Sequence, residues 1–271
     1  MRSIEELRDL VNKPTDLPKI LIFDIETAPM RAYVWKRYKE NISLDQTISE
    51  SFMICWSAKW LYDTEVMGDV LKQGEIISEN DERIVKSLYK LISEADIIIA
   101  YNGRNFDIPY MNQRFLYYDL PPYMPVNIVD PYETAKTVFR FSSNKMDNLA
   151  TQLGLQNKIK TDFDLWKDCM EGKRSALQSM LEYNKQDVVV LEEIYCKILP
   201  WLKHHPNVSN YRDNKESCVK CGSLNIEKVR GKFFYTPSGK YELFRCKKCN
   251  AIFRGKKNLN KETVPFINCS H

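Results

Sequence analysis

The chain has 271 residues, with 40 Lys and Arg against 36 Asp and Glu for a formal net charge of +4, and 44% of it is hydrophobic. That is enough apolar material for a packed core and excludes a disordered composition. No run of about 18 apolar residues exists, so no membrane span is expected, and the first residues lack the apolar stretch of a secretory signal. The charge is uneven: from Lys203 onward there are 15 Lys and Arg against 5 Asp and Glu, a net +10, which leaves −6 on residues 1–202. An acidic main region beside a basic appendage suits a cation-binding site next to a surface for a phosphate backbone. Domain-size statistics predict one main domain over residues 1–203 and a small one over 204–271.

In chain order, residues 3–12 predict a short helix, ended by Asn12, Lys13 and Pro14. KILIFDIET at 19–27 reads as a buried strand, β-branched and bounded by Pro18 and Pro29. Residues 30–50 are polar and aromatic and yield no assignment. Two strands follow at 51–60 and 64–70, forming a hairpin with its turn near Tyr62 and Asp63. Residues 80–95 have helical period, 97–102 form a buried strand, 106–119 a helix, and 126–130 another strand. Helices are expected at 131–139 and 146–153, the second capped by Gly154. A long helix at 175–203 closes the domain. A strand meander followed by alternating helices and strands predicts an α/β fold, a mixed sheet flanked by helices. Pro206 and the polar run after it make a linker.

Asp24 and Glu26 are two apart on a strand and so share a face. Two carboxylates at the end of a buried strand are costly unless a cation lies between them, and Mg²⁺ or Mn²⁺ takes oxygen ligands. Taken alone, the pair also reads as a solvated strand end. Asp107 follows a buried strand and opens a helix, where a carboxylate also suits the helix dipole. Tyr183 and Asp187 are four apart on a helix and share its face, beside the apolar Val188 and Leu191. Asp187 alone also reads as a boundary residue paired with a Lys or Arg.

Together the three sites resemble the DEDD 3′–5′ exonucleases, especially the proofreading domains of family-B DNA polymerases and their stand-alone relatives. The motifs are FDIET at 23–27, N-x-x-x-F-D at 102–107 followed by Pro109 and Tyr110, and Y-x-x-x-D at 183–187. Their order is that of the family, and the resemblance spans roughly residues 19–200. It implies an RNase H-like domain that removes nucleotides from 3′ ends, of single-stranded DNA before RNA. Asp24, Glu26 and Asp187 would ligate a first metal ion. Asp24 would bridge to a second, held by Asp107. Tyr183 would orient the attacking water, the mark of the DEDDy subgroup. Asn102 and Phe106 would position the terminal nucleotide, and Thr27 would contact the substrate backbone. All four acidic positions are present, which argues against a non-catalytic binding protein on the same fold.

The chemistry agrees. In-line attack on a phosphodiester needs a nucleophilic water and a stabilised leaving oxygen, which two Mg²⁺ or Mn²⁺ ions about 3.5–4 Å apart supply. The three His, at 204, 205 and 271, lie outside the motifs, so a His base is not expected. A phenol titrating near pH 10 makes Tyr183 a positioning group and not a strong base. The sequence holds no phosphate-loop motif.

Of eight Cys, four form two C-x-x-C pairs, Cys218 with Cys221 and Cys246 with Cys249, while Cys55, Cys169, Cys196 and Cys269 are scattered. This pattern predicts a reducing, cytoplasmic setting and a structural zinc site in a four-cysteine zinc ribbon. Gly222 and Asn250 follow the two pairs and tolerate the left-handed turn of a knuckle. Between the pairs, two strands are expected, joined by a turn at Pro237, Ser238 and Gly239. The interleaved Lys, Arg and aromatic residues there fit nucleic-acid contact. Docking onto a replication or repair protein is the alternative. So is a plain hairpin core with a solvated basic face.

Overall fold

The computed structural model describes residues 17–155, 161–213 and 216–260. The helix expected at 3–12, Cys269 and His271 lie outside them. The chain separates into two compact units, one built on Lys19–Tyr195 and the other from Cys196 onward.

Among the described residues, the first unit contains seven strands, β1 (Ile20–Thr27), β2 (Arg31–Ala32), β3 (Thr47–Ser49), β4 (Met53–Trp60), β5 (Met67–Val70), β6 (Ile97–Ile99) and β7 (Asn127–Val129). Its helices are α1 (Gln73–Ile77), α2 (Glu82–Ser93), α3 (Asp107–Tyr117), α4 (Pro131–Val138), α5 (Met146–Leu153), α6 (Phe163–Met170) and α7 (Arg174–Ile198). Five strands form a mixed sheet in the order β5-β4-β1-β6-β7. β1 runs antiparallel to β4 and parallel to β6, and β6 is parallel to β7.

Strand periodicity divides β1 between two environments. Phe23 and Ile25 stand opposite Ala58 and Trp56 and enter the main core. Trp56 donates its indole N–H to the Ile84 carbonyl at 2.9 Å, which ties this face to α2. The helix lays the buried Ile84, Val85, Leu88 and Ile92 against the core, and each such side chain contributes about 1.5–3 kcal/mol. The other face presents Ile22, Asp24 and Glu26 beside Lys59, Ser57 and Cys55. It lies under α7, through Asn184 to Asp24 and through a buried ion pair between Lys59 and Glu192.

The strands and long helices fall where the pattern puts them, give or take a few residues at the ends. The first unit departs from that pattern in three places. α7 ends at Ile198 and not near 203, because Pro200 has no N–H to continue the ladder and the chain tightens into a 3₁₀ turn at Leu199–Trp201. α1 and α6 were not anticipated; α6 is one short amphipathic stretch, started by Asp162, whose carboxylate accepts from the Asp164 amide at 3.1 Å. Residues 30–50 form the two-stranded β2–β3 ribbon and its loop.

In the second unit, β8 (Ile226–Thr236), β9 (Gly239–Cys246) and β10 (Ile252–Asn258) form an antiparallel sheet in the order β10-β9-β8. The third strand was not expected, since IFRGKKN is poor in β-formers after its first two residues. Among the described residues, no helix is long and apolar enough to cross a membrane.

Candidate metal centre and its surroundings

Asp24 and Glu26 point from β1 toward α7, and Asp187 on α7 meets them. Carboxylate oxygens of the three lie within 4.8 Å of one another. Asp187 is only 3% exposed, so like charges are held together in a place that solvates them poorly. Closely set hard oxygen donors of this kind fit Mg²⁺ or Mn²⁺.

Asp107 stands outside that trio but beside it. β6 stops at Ile99, opposite Ile22, which leaves the next part of the β1 edge without a strand neighbour on that side. There the Ile25 amide donates to Asp107 Oδ1 at 3.3 Å. The carboxyl of Asp107 thus touches the backbone between Asp24 and Glu26. Burial pushes its pKa up to about 7; amide hydrogen bonds oppose the rise and the charge of Asp130 adds to it.

Two supporting residues were missed in the sequence. Asn184 is fully buried and donates its side-chain N–H to Asp24 Oδ2 at 2.7 Å. It follows Tyr183 directly, and a polar residue on the inner side of that helix was the available signal. Asp130, at the end of β7, accepts from the amides of Asn102 at 2.8 Å, Arg104 at 3.3 Å and Tyr132 at 3.0 Å. It therefore shapes the turn before Asp107 while capping α4. In that turn Asn102 adopts a left-handed φ of 58° and accepts from Asn105 at 2.8 Å. A side chain at Gly103 would place its Cβ 2.3 Å from that of Ala100, so the backbone approach there admits only glycine.

The other expected residues have varied places. Tyr183 packs edge-on against Trp166 of α6, centroids 6.2 Å apart. Phe106 is 45% exposed and stacks on Tyr110 at 5.9 Å. Thr27 sits where the β1–β4 register shifts, opposite Met53. A cleft of about 520 Å³ opens beside Asn102, lined also by Tyr101, Tyr132, Asn144, Lys145 and Met146.

In the second unit, Cys218, Cys221, Cys246 and Cys249 bring their sulfurs within 4.8 Å of one another. The Cys218–Cys249 and Cys221–Cys246 separations are 3.6 Å. A tetrahedron with Zn–S bonds of roughly 2.3 Å requires about 3.8 Å, so the cluster could hold zinc. Gly222 and Asn250 take φ of 69° and 63°, the left-handed turns expected after each pair. Among the described residues, the apolar cluster around the cysteines adds the buried Ala251 and the partly buried Ile226 and Phe253, a small core that leaves much of the work of holding this end of the unit together to the cysteines. Several of the module's cations are already engaged: Lys240 lies 4.0 Å over Phe233, and Arg254 4.2 Å over Tyr241. Phe234 and Tyr235 remain 45% and 66% exposed.

A family model described as the RNase_H superfamily (RNase_H_2) matches residues 64–199. The chain belongs to the RNase H superfamily. The matched span includes Asp107 and Asp187 but begins downstream of Asp24 and Glu26. The chain is also similar to a DNA polymerase of the archaeon Archaeoglobus fulgidus, 28% identical over 146 residues, covering 46% of this chain and 19% of the polymerase. Among solved structures it is similar to the family B DNA polymerase of Pyrobaculum calidifontis, with a TM-score of 0.47 and 15% identity over 83% of this chain and 33% of that one. The chain thus spans a third or less of either polymerase.

Proposed function

We propose that this RNase H superfamily chain is a metal-dependent 3′–5′ exonuclease acting on single-stranded DNA, with residues 1–203 as the catalytic domain. The observation that carries the reading is the convergence of Asp24, Glu26 and Asp187, with Asp107 bonded to the backbone between the first two. Asp24, Glu26 and Asp187 would hold one divalent ion, and Asp24 with Asp107 a second. Divalent cations bound there would supply water activation and stabilisation of the leaving oxygen. Asn184 fixes the orientation of Asp24 through its amide. Tyr183 would direct water by its hydroxyl. Phe106, Asn102 and Thr27 would seat the terminal nucleotide, and the cleft beside Asn102 offers room for one. The similarity to a DNA polymerase supports nucleic acid as substrate and favours DNA.

The four-cysteine module, residues 204–271, would bind one structural Zn²⁺ and contact nucleic acid through exposed aromatics such as Tyr235. Docking to a replication or repair protein is the competing role. No disulfide joins the seven described cysteines, which supports a cytoplasmic setting.

The test uses 5′-labelled single-stranded DNA and RNA with Mg²⁺ or Mn²⁺, beside Asp24→Ala protein. A metal-dependent ladder shortening from the 3′ end, absent in the variant, is expected with DNA. A ladder with RNA alone would reassign the enzyme as an exoribonuclease. An intact substrate with both metals, or equal cleavage by Asp24→Ala, would overturn the reading.

A further inference from the structure

The segment between β2 and β3 is an ordered arm that turns its largest side chains outward. Tyr33, Trp35 and Tyr38 are 74%, 94% and 80% exposed. The loop is nevertheless built. Glu40 accepts from the amides of Trp35 at 3.1 Å and Lys36 at 2.8 Å. Gln46 donates to Glu40 at 3.2 Å and to the Tyr33 carbonyl at 3.1 Å, and its own carbonyl accepts from the Tyr33 amide at 2.9 Å. These bonds stiffen the tip, and fixing an indole in water contributes nothing to folding.

The charge on the arm selects its occupant. Lys36, Arg37 and Lys39 are exposed and alternate with the rings. Of the arm's carboxylates, Glu40 is engaged by the backbone amides, and Asp45 lies outside the ring-bearing stretch, in the turn at Leu44–Gln46. Rings interleaved with cations match a flexible polyanion whose bases offer π-faces. The arm also exposes the aliphatic Val34, Ile42 and Leu44, but the cations set between its rings favour a polyanion over an apolar protein groove.

The root of the arm stands at the carboxylate end of β1. The Ala28 amide donates to the Phe52 carbonyl at 2.8 Å, and Ser51 Oγ bonds both the Ala28 carbonyl at 2.6 Å and the Tyr110 hydroxyl at 2.8 Å. Tyr110 in turn stacks on Phe106. Trp35 is eight residues beyond Thr27, hence at most roughly 29 Å away.

We propose that this arm binds the single-stranded nucleic acid upstream of the end being processed, with Trp35 and Tyr38 stacking on bases while Lys36, Arg37 and Lys39 follow the phosphates. The inference rests on the nuclease reading for its placement, but its test does not need turnover. Binding of a fluorescent 20-nucleotide single strand is measured by anisotropy on the full chain carrying Asp24→Asn, with and without Trp35→Ala and Tyr38→Ala together. All these arm residues are surface-exposed, so folding should survive, and a circular dichroism melt checks it. A loss of at least about tenfold in affinity is expected. Replacing Lys36, Arg37 and Lys39 by Ala should lower the slope of log affinity against log salt by roughly 2.

Unchanged affinity in the ring variant overturns the proposal. So does unchanged affinity accompanied by loss of self-association in size-exclusion chromatography, which would assign the arm to a second copy. If the wild type cleaves nothing yet the ring variant still loses affinity, the arm stands and only the exonuclease reading falls.

Discussion

Replacing Lys59 by Met should destabilise the first unit by about 3–5 kcal/mol. The Lys59 ammonium on β4 and the Glu192 carboxylate on α7 are each only 1% exposed, so solvent does not screen their ion pair. Glu192 also accepts from the Tyr62 amide at 3.0 Å. Met fills the volume of the lysine stem but leaves the carboxylate in an apolar layer without its cation. For a unit of this size that cost is a fall in Tm of roughly 6–20 °C. The informative comparison is Lys59→Met with Glu192→Gln, which removes both charges yet keeps an acceptor for Tyr62. The double variant should recover most of the loss, because the penalty lies in the orphaned charge and not in the pair itself. Urea unfolding followed by far-UV circular dichroism, analysed by linear extrapolation, gives both values. A single variant within about 1 kcal/mol of wild type, or a double variant no more stable than the single, would refute the reasoning.

Other outcomes follow from the same contacts. Asn184→Ala removes the amide that fixes Asp24, so the Mn²⁺ concentration for half-maximal activity should rise about 10–100-fold with little change in Tm; a metal titration beside a melt distinguishes this from general unfolding. Elemental analysis of the full chain should find about one zinc, and Cys218→Ser with Cys221→Ser should remove it and raise amide exchange in β8–β10 while leaving the first unit protected. Freshly purified, folded protein without zinc would end the ribbon assignment.

Residues 19–27, 97–102 and 126–130 announce strands by β-branched runs, and alternation alone puts Asp24 and Glu26 on one face. Tyr183 and Asp187 share a helix face by the same kind of periodicity. The knuckle turns at Gly222 and Asn250 are likewise local chemistry, since few other residues accept those φ values. Such features are legible because secondary structure has a short period and turns have few permissible residues.

Tertiary structure alone decided the rest. Asn184 meets Asp24 across 160 residues of chain, and Asp107 meets the Ile25 amide across 82. No local pattern encodes which buried polar group will face which. Nothing in the local sequence singles out Lys59; β4 and α7 enclose it with Glu192. β10 has little strand propensity of its own and exists by pairing with β9. The arm at 30–50 resisted assignment because its rings follow neither a period of two nor of 3.6. They face water, and burial, which imposes those periods, does not act on them.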